Sequence, residues 1–357
     1  MKRFSDTGAG IVPYGHTGTV VEERRRKGRP PFVREAFLGR ENMKNILMGL
    51  AALALASAAT GVQAQDRQVN MAVSIPAADH GWTGGVVYHA ERAKKTLEAR
   101  YPGLKITVKT SPDGASQANA LEDLTAQGID ALVTLPHNSD ELTDPIRQVK
   151  EKGIFVTVVD RALSDQTIQD LYVAGNNPEL GRVAGEYIKK ELGGKGDVVV
   201  IRGLPIVIDE ERQKGFDEGI KGSDIKVLDR QFGNWSRDDA FKVMQDYLAK
   251  YKKIDAVWCQ DDDMAVGVLE AIQQADRKDI KFVVGGAGMK EMIKRVADGD
   301  TMIPVDVLYP PAMIATAMEL TASNFYDQIP IRGSYILDAT LVTKENAKEF
   351  YFPDSPF

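Results

Sequence analysis

The sequence predicts an α/β protein whose parallel strands are divided between two similar lobes. Runs of valine, isoleucine and leucine alternate with helical patterns along most of the chain, which indicates strands connected by crossing helices. Most of these runs are continuously apolar, as expected for parallel strands that helices cover on both faces. The predicted strands are more numerous than one doubly wound sheet usually holds, and we therefore predict two sheets.

The elements follow one another in a regular order. The predicted strands are Val69–Ile75, Lys105–Thr110, Ala131–Leu135, Phe155–Asp160, Tyr172–Gly175, Asp197–Arg202, Lys226–Gln231, Ala256–Gln260, Phe282–Val284 and Met302–Val307. The clearest helices between them are Gln117–Gln127, Glu179–Leu192, Glu210–Lys221, Asp238–Lys250 and Met264–Gln274. We place the first crossing between the lobes at Tyr172–Asn177, where a strand ends in turn residues. A helix over Pro311–Tyr326 and a strand over Ile336–Val342 come last and are predicted to pack across both lobes.

The N-terminal residues predict export from the cytoplasm. A short positive start at Met43 is followed by the apolar run Ile46–Val62 and by a small-x-Ala cleavage site that ends at Ala64. This layout is typical of a secretory signal peptide over residues 43–64, and the apolar run is short for a membrane span. Residues 1–42 are basic and lack apolar periodicity, so we interpret them as an extension from a misassigned start codon or as an unusually long export leader.

Composition argues against some classes of partner. The chain has 357 residues, 43% of them hydrophobic, and a net charge of −6. Residues 1–64 hold ten basic and five acidic side chains, so residues 65–357 carry a charge of −11. An acidic body is a poor partner for a nucleic-acid backbone. Cys259 is the only cysteine, so no disulfide can form within the chain.

Four segments share a layout in which an apolar strand ends in polar or aromatic residues and a helix follows. They are Ser74–Trp82, Val158–Asp165, Arg230–Asp239 and Trp258–Gly267. Ligands of open α/β sheets bind beyond the carboxyl ends of the strands. Two facing lobes would therefore bring all four segments to one cleft.

The residue types at these strand ends indicate a ligand rich in hydroxyl groups. The Asp160-Arg161 pair combines an acceptor of two hydrogen bonds with a planar donor fork, and its place directly after a buried strand favours a ligand contact over a solvated turn. Trp82 and Trp235 could stack on the apolar face of a sugar, or could be core residues. Arg212 could reach the cleft from the start of a helix, or could lie on the helix surface.

No set of residues predicts catalysis or a cofactor. His80 has no cysteine or second histidine nearby, so it could contact a ligand but predicts no metal site. Gly285–Gly288 follows a strand but lacks the third glycine of a dinucleotide-binding motif, and the sequence has no phosphate-cradling loop, nucleophile elbow or zinc-protease motif. We therefore predict a binding protein without enzyme activity, cofactor or metal.

Five motifs, in order and at matching spacing, resemble a known family. They are VVDR at Val158–Arg161, AGNNPELGRVAGEYI at Ala174–Ile188, EERQKGFDEGI at Glu210–Ile220, CQDDDMAVGVLEAI at Cys259–Ile272 and VVGGAG at Val283–Gly288. In these motifs the chain resembles the periplasmic sugar-binding proteins of bacterial ABC transporters, in particular the ribose-binding-like group. The resemblance covers Val69–Lys344.

The resemblance implies two Rossmann-like lobes joined by a three-segment hinge, the type I periplasmic binding protein fold, with a sugar held between the lobes. We place the N-terminal lobe at residues 66–174 plus 308–335 and the C-terminal lobe at residues 175–307 plus 336–357. The implied partners are a sugar or polyol and the permease of an ABC transporter, and we predict a monomer.

The resemblance also implies which residues contact the sugar. The matching positions are Asp160, Arg161, Arg212, Trp235 and Asp261, with a looser match of the family's N-lobe aromatics to the stretch Asp79–Trp82. Asp262 and Asp263 are expected to cap the helix that follows Asp261. Two departures argue against ribose itself. Gly286-Ala287 replaces a Phe-Asp pair that carries a sugar-binding carboxylate, and Asp306 replaces a glutamine. A different monosaccharide, a branched pentose or a sugar alcohol is expected.

The predicted function is capture of a monosaccharide or sugar alcohol by hinge closure in the periplasm, followed by delivery to a membrane permease. A periplasmic sensor that presents the sugar to a chemoreceptor or a kinase is the alternative. A two-lobed transcription regulator would need a helix-turn-helix where the signal peptide is predicted, and an enzyme would need a catalytic set that the sequence lacks.

Overall fold

The computed structural model describes residues 67–78, 81–327 and 330–357. The signal peptide predicted at residues 43–64, the extension at residues 1–42 and the predicted ligand contacts Asp79 and His80 lie outside the described residues.

The first large sheet contains six parallel strands. They are β1 (Val69–Pro76), β2 (Leu104–Ser111), β3 (Ala131–Thr134), β4 (Phe155–Val159), β5 (Leu171–Gly175) and β11 (Gly333–Leu337). They lie side by side in the order β11-β5-β4-β3-β1-β2. The helices that pack on this sheet are α1 (Gly81–Arg100), α2 (Gly114–Ala126), α3 (Ser139–Glu151) and α9 (Met313–Tyr326). Strands β3 and β4 are buried at every position, because helices cover both faces of the sheet.

The second large sheet contains four parallel strands. They are β6 (Lys195–Arg202), β7 (Asp224–Phe232), β8 (Ala256–Cys259) and β9 (Phe282–Val284), in the order β7-β6-β8-β9. The helices of this part of the chain are α4 (Asn177–Glu191), α5 (Val207–Ile220), α6 (Arg237–Lys250), α7 (Asp262–Gln274) and α8 (Lys290–Asp298). A small antiparallel sheet pairs β10 (Asp306–Val307) with β12 (Leu341–Val342), and α10 (Ala347–Phe350) packs on α8.

The chain passes between the two large sheets three times. It leaves the first sheet after β5, returns through residues 308–312 between β10 and α9, and leaves again through residues 338–340 between β11 and β12. We call the six-stranded sheet with its helices the first lobe. The second lobe is the four-stranded sheet with its helices, together with the small sheet. These parallel α/β sheets confirm the predicted fold class.

Two predicted strands differ from the structure. Of Met302–Val307, only β10 is a strand, because Pro304 lacks the N–H group that a ladder needs. Ile336–Val342 is divided into the end of β11 and β12, which belong to different sheets. The pairing also places Ile336 and Leu337 in the first sheet, opposite Ala174 and Gly175. None of the helices within the described ranges has the length and apolar character needed to cross a membrane.

Helices α4 and α5 touch backbone to backbone. A Cβ atom on Gly181 would lie 1.8 Å from the carbonyl oxygen of Arg212, and a Cβ atom on Gly215 would lie 1.8 Å from that of Pro178. Only glycine permits this approach. The contact fixes the position of α5, which carries Arg212 toward the gap between the lobes.

Candidate functional site

A cavity lies between the two lobes, at the carboxyl ends of their strands. The cavity, including its open mouth, has an empty volume of about 330 Å³. Its lining side chains are Trp82, Asp160, Arg161, Ile208, Arg212, Trp235, Asp261, Ala287 and Tyr309. The structure thus brings together six of the nine residues predicted to contact a ligand. Their role as contacts remains a prediction.

Asp160 stands at the end of β4 in an unusual backbone conformation. Its φ of 60° is in the left-handed region, which few residues other than glycine adopt. The Asp160 N–H donates to the Val173 carbonyl at 2.9 Å, and the Tyr172 hydroxyl donates to the Asp160 carbonyl at 2.6 Å. These bonds hold the left-handed turn and aim the buried carboxylate at the cavity, where it accepts a hydrogen bond from the Tyr309 hydroxyl. Strain of this kind concentrates at functional sites.

Arg161 presents an unused donor beside Asp160. Its Nη1 donates to the His137 carbonyl at 2.7 Å, whereas its Nε lies 3.9 Å from the nearer Asp160 oxygen, too far for a hydrogen bond. Within the described residues, this buried Nε has no hydrogen-bond partner. A buried donor without a partner costs about 1–3 kcal/mol, so an oxygen of a bound ligand would relieve the cost.

Arg212 is held rigidly at the second-lobe wall. Its Nε donates to Asn177 Oδ1 at 2.9 Å and its Nη1 donates to the Gln260 carbonyl at 2.7 Å. The guanidinium carbon lies 4.4 Å from the centre of the Tyr309 ring and 5.4 Å from that of Trp235. These are cation–π distances, so the two rings stabilise the charge of Arg212 in place. The guanidinium group therefore keeps N–H donors that are not used by the described part of the protein.

Aromatic rings line the cavity from both lobes. Trp235 follows Asn234, and both have left-handed φ angles, of 57° and 56°. The Trp235 ring lies over Gly203, where a Cβ atom would come within 1.9 Å of it. From the first lobe, Trp82 Nε1 donates to the Tyr309 carbonyl at 2.9 Å, and the two ring centres are 6.0 Å apart. The rings offer flat apolar surface of the kind that covers the C–H face of a sugar.

The three consecutive aspartates divide their roles differently from the prediction. Asp261 both lines the cavity and caps α7, since its side chain accepts the Met264 N–H at 3.1 Å. Asp262 accepts the N–H groups of Gly286 and Met289 at 2.9 and 2.8 Å and so holds the loop after β9. Asp263 reaches the first lobe. Asp262 and Asp263 form the first turn of α7, but Asp261 caps the helix and the two predicted caps do not.

Burial perturbs the carboxyl groups of this region. It raises the pKa of Asp261 to about 7, together with the negative charge of Asp263, while the Met264 N–H and Arg212 act in the opposite direction. A carboxyl with this pKa changes between donor and acceptor near neutral pH. Asp261 is therefore the lining group whose hydrogen-bonding role responds most directly to pH.

Asp306, also predicted to contact the ligand, is not among the lining residues. Its Oδ1 accepts the Val307 N–H at 2.8 Å, and its buried Oδ2 has no partner within the residues described. Burial raises the pKa of Asp306 to about 6, and burial and the Asp306 charge raise that of Asp262. Asp306 lies on the short strand β10, behind the residues that line the cavity, and its carboxyl group faces Asp262. Two buried carboxyl groups beside each other favour sharing of one proton.

Tyr309 and Ile208 also line the cavity, although neither was predicted from the sequence. Tyr309 lies in the second crossing between the lobes, two residues after β10, and so follows the same pattern of aromatic after strand end as Trp82 and Trp235. Burial and the Asp160 charge hold its pKa well above the usual range, so its hydroxyl stays protonated as a donor. Ala287, where the resemblance located a lost carboxylate, does line the cavity.

We expect Tyr309→Phe to weaken ligand binding roughly tenfold or more. The variant keeps the ring beneath Arg212 but removes the hydroxyl that orients the Asp160 carboxylate, and a hydrogen bond to a charged group contributes about 1.5–3 kcal/mol. Titration calorimetry measures the affinity. Tyr326→Phe, which removes a hydroxyl bonded to the Arg67 carbonyl far from the cavity, is the control. Equal affinities of the two variants would contradict the expectation.

The chain is similar in sequence and in fold to proteins of known ligand. Residues 71–323 match the periplasmic binding protein domain family. A xylitol-binding protein of Mycolicibacterium smegmatis is 31% identical over 245 residues, which are 66% of this chain and 67% of that protein. A ribose import binding protein of Escherichia coli is 29% identical over 250 residues, 70% of this chain and 83% of that protein. The fructose-binding periplasmic domain of a hybrid two-component system has a TM-score of 0.71 and 25% identity, covering 80% of this chain and 93% of that one.

Proposed function

This chain belongs to the periplasmic binding protein domain family, and from that premise we propose that it captures a monosaccharide or sugar alcohol between its lobes and delivers it to the permease of an ABC importer. The observation that carries the proposal is the cavity lining. It combines two buried carboxylates and two buried guanidinium groups with three aromatic rings. Neighbouring hydroxyls donate to carboxylates and accept from guanidinium groups, while a ring covers the apolar face of the same molecule.

The balance of charges favours a neutral ligand. Above pH 7, where Asp261 is mostly ionised, Asp160 and Asp261 offset Arg161 and Arg212, so a sugar phosphate or sugar acid would bring an uncompensated charge into a buried site. The methyl groups of Ile208 and Ala287 add an apolar patch that would meet carbon rather than hydroxyl. Similar proteins named for xylitol and ribose support polyols and pentoses as the first ligands to test.

We further propose that the ligand is captured by closure about the three crossings. The lobes would then be residues 67–175 with 311–337, and residues 176–308 with 338–357, joined by the chain at those crossings. Short connections of this kind allow a hinge motion that encloses a ligand. We propose export by residues 43–64 to the periplasm, because that sequence has the layout of a signal peptide.

Sensing is the second candidate function. It is favoured by the structural similarity to a periplasmic domain of a hybrid two-component system. The importer is better supported, because one relative is named as a ribose import binding protein and another as a xylitol-binding protein. Reconstituted vesicles that hold the cognate permease would take up the sugar only when the binding protein is added, if the importer proposal is right.

We expect a neutral pentose or polyol to raise the melting temperature of residues 65–357. A ligand at a hundred times its dissociation constant stabilises the folded state by about 2.7 kcal/mol, enough to shift a thermal melt by several degrees. The screen should include D-ribose, D-apiose, xylitol and hexoses, with ribose 5-phosphate and gluconate as charged controls. A screen without any shift, or with the largest shift from a charged compound, would overturn the proposal.

A further inference from the structure

Asp263 connects the two lobes directly. Its Oδ2 accepts the backbone N–H of Gly81 at 2.9 Å, and its Oδ1 accepts from Arg237 Nη2 at 2.9 Å. Gly81 is the first residue of α1 in the first lobe, whereas Asp263 and Arg237 belong to α7 and α6 in the second. The Gly81–Asp263 bond therefore joins the lobes without passing through any of the three crossings.

The chemistry of this contact makes it strong and specific. The Asp263 side chain is 8% exposed, and its carboxylate faces the positive end of the α1 dipole, where a negative charge is favoured. A Cβ atom on Gly81 would lie 2.6 Å from Asp263 Oδ2, so the approach requires a glycine. Arg237, whose side chain is 48% exposed, fixes the carboxylate from within its own lobe. Bonds between a charged acceptor and an N–H donor are among the stronger hydrogen bonds in proteins.

We propose that Asp263 is a closure latch, a positioning residue that stabilises the closed arrangement of the lobes without touching the ligand. The inference rests on the proposed function, in which closure encloses a sugar. Asp263 is absent from the cavity lining, but Gly81 precedes Trp82, which lines it. Opening the lobes would break the Gly81 bond and leave the Arg237 pair intact, so the latch acts on one state only and shifts the equilibrium toward closure.

The latch has a kinetic signature that a ligand contact or a purely structural residue lacks. Escape of the ligand requires opening, so loss of the latch accelerates dissociation, whereas capture by the open form is little affected. A residue needed only for stability would instead lower the melting temperature of the ligand-free protein and leave the dissociation rate unchanged.

The test compares Asp263→Asn and Asp263→Ala with the wild-type protein. Asp165→Ala is the matched control, because Asp165 pairs with Arg147 at the same 2.9 Å but within one lobe. D-ribose and xylitol serve as probes, with affinity from calorimetry and rates from stopped-flow tryptophan fluorescence. Spin labels at Ala115→Cys and Leu204→Cys, two exposed positions on opposite lobes, report the distance between lobes, and the buried Cys259 does not interfere.

We expect Asp263→Ala to weaken affinity roughly tenfold, or about 1.4 kcal/mol, almost wholly through faster dissociation. Asp263→Asn keeps an acceptor without charge, so its affinity should lie between those of the wild type and Asp263→Ala. The affinity of the control should stay within about twofold of the wild type. An unchanged dissociation rate and distance distribution in Asp263→Ala would overturn the latch. If neither probe binds the wild type, the wider thermal screen of sugars and polyols decides the proposed function. The latch is then decided on the ligand-free distances: loss of the short-distance population in Asp263→Ala supports it, and identical distributions overturn it.

Discussion

Asp160→Asn should abolish measurable sugar binding and leave the protein folded. The Asp160 carboxylate is 1% exposed and ends β4 at the cavity, where it can accept from two ligand hydroxyls. Each hydrogen bond to a charged group contributes about 1.5–3 kcal/mol, so losing the charge should weaken binding by a hundredfold or more. Asparagine has the same size and tolerates the left-handed backbone, so the fold is preserved. Calorimetry measures the affinity and a thermal melt checks folding.

Asp160→Ala separates the two roles of this residue. Alanine also loses binding, but it is poorly suited to a φ of 60° and should lower the stability by about 1 kcal/mol relative to asparagine. Affinity within tenfold of the wild type in Asp160→Asn would remove Asp160 from the site. Unfolding of both variants would show that the residue is needed for the turn before any role in binding can be assigned.

Asp306→Asn should stabilise the protein at neutral pH without changing its affinity. The folded-state pKa of Asp306 is raised to about 6 from the model-compound value of 3.8, so the folded form holds a proton that the unfolded form releases. The favourable contribution of the protonated group is therefore present at low pH and is lost as the pH rises from about 4 through about 6. Above this window, an amide at this position needs no proton, so Asp306→Asn should be more stable than the wild type by about 3 kcal/mol.

The measurement is a series of thermal melts between pH 4 and pH 8. The wild-type protein should lose stability across this range more steeply than Asp306→Asn, and the exposed Asp123→Asn should follow the wild type. Sugar affinity should stay within about threefold, because Asp306 does not line the cavity. A large loss of affinity with unchanged stability would instead restore the predicted ligand contact.

Much of the fold could be predicted because local sequence and tertiary environment agree. A buried parallel strand needs apolar side chains on both faces, so runs such as Phe282–Val284 identify strands without knowledge of their neighbours. The rule that ligands bind at strand ends then placed Asp160 and Trp235 in one cavity although 75 positions separate them. The fold class and the cavity wall follow from short-range patterns.

The remaining features depend on contacts that no short stretch of sequence encodes. Met302 accepts the Val283 N–H at 2.8 Å at the edge of β9, but the pairing does not continue through Pro304. Whether one such bond extends into a ladder is a property of the sheet. Asp261 and Asp263 have identical side chains two positions apart, and only the backbone direction decides that one caps α7 and the other contacts Gly81. Tyr309 enters the cavity from a crossing, whose path is set by where the two sheets lie.

The glycine contact between α4 and α5 bears on how sequence variation in this protein should be interpreted. Arg212 lies on the helix that Gly181 and Gly215 hold against its neighbour, so a single added methyl group at either glycine must displace the backbone that carries the guanidinium. In a mutational survey scored by sugar uptake, both glycines would rank with the cavity residues, although neither lines the cavity. Distance from the ligand is therefore a poor guide to tolerance at this helix pair.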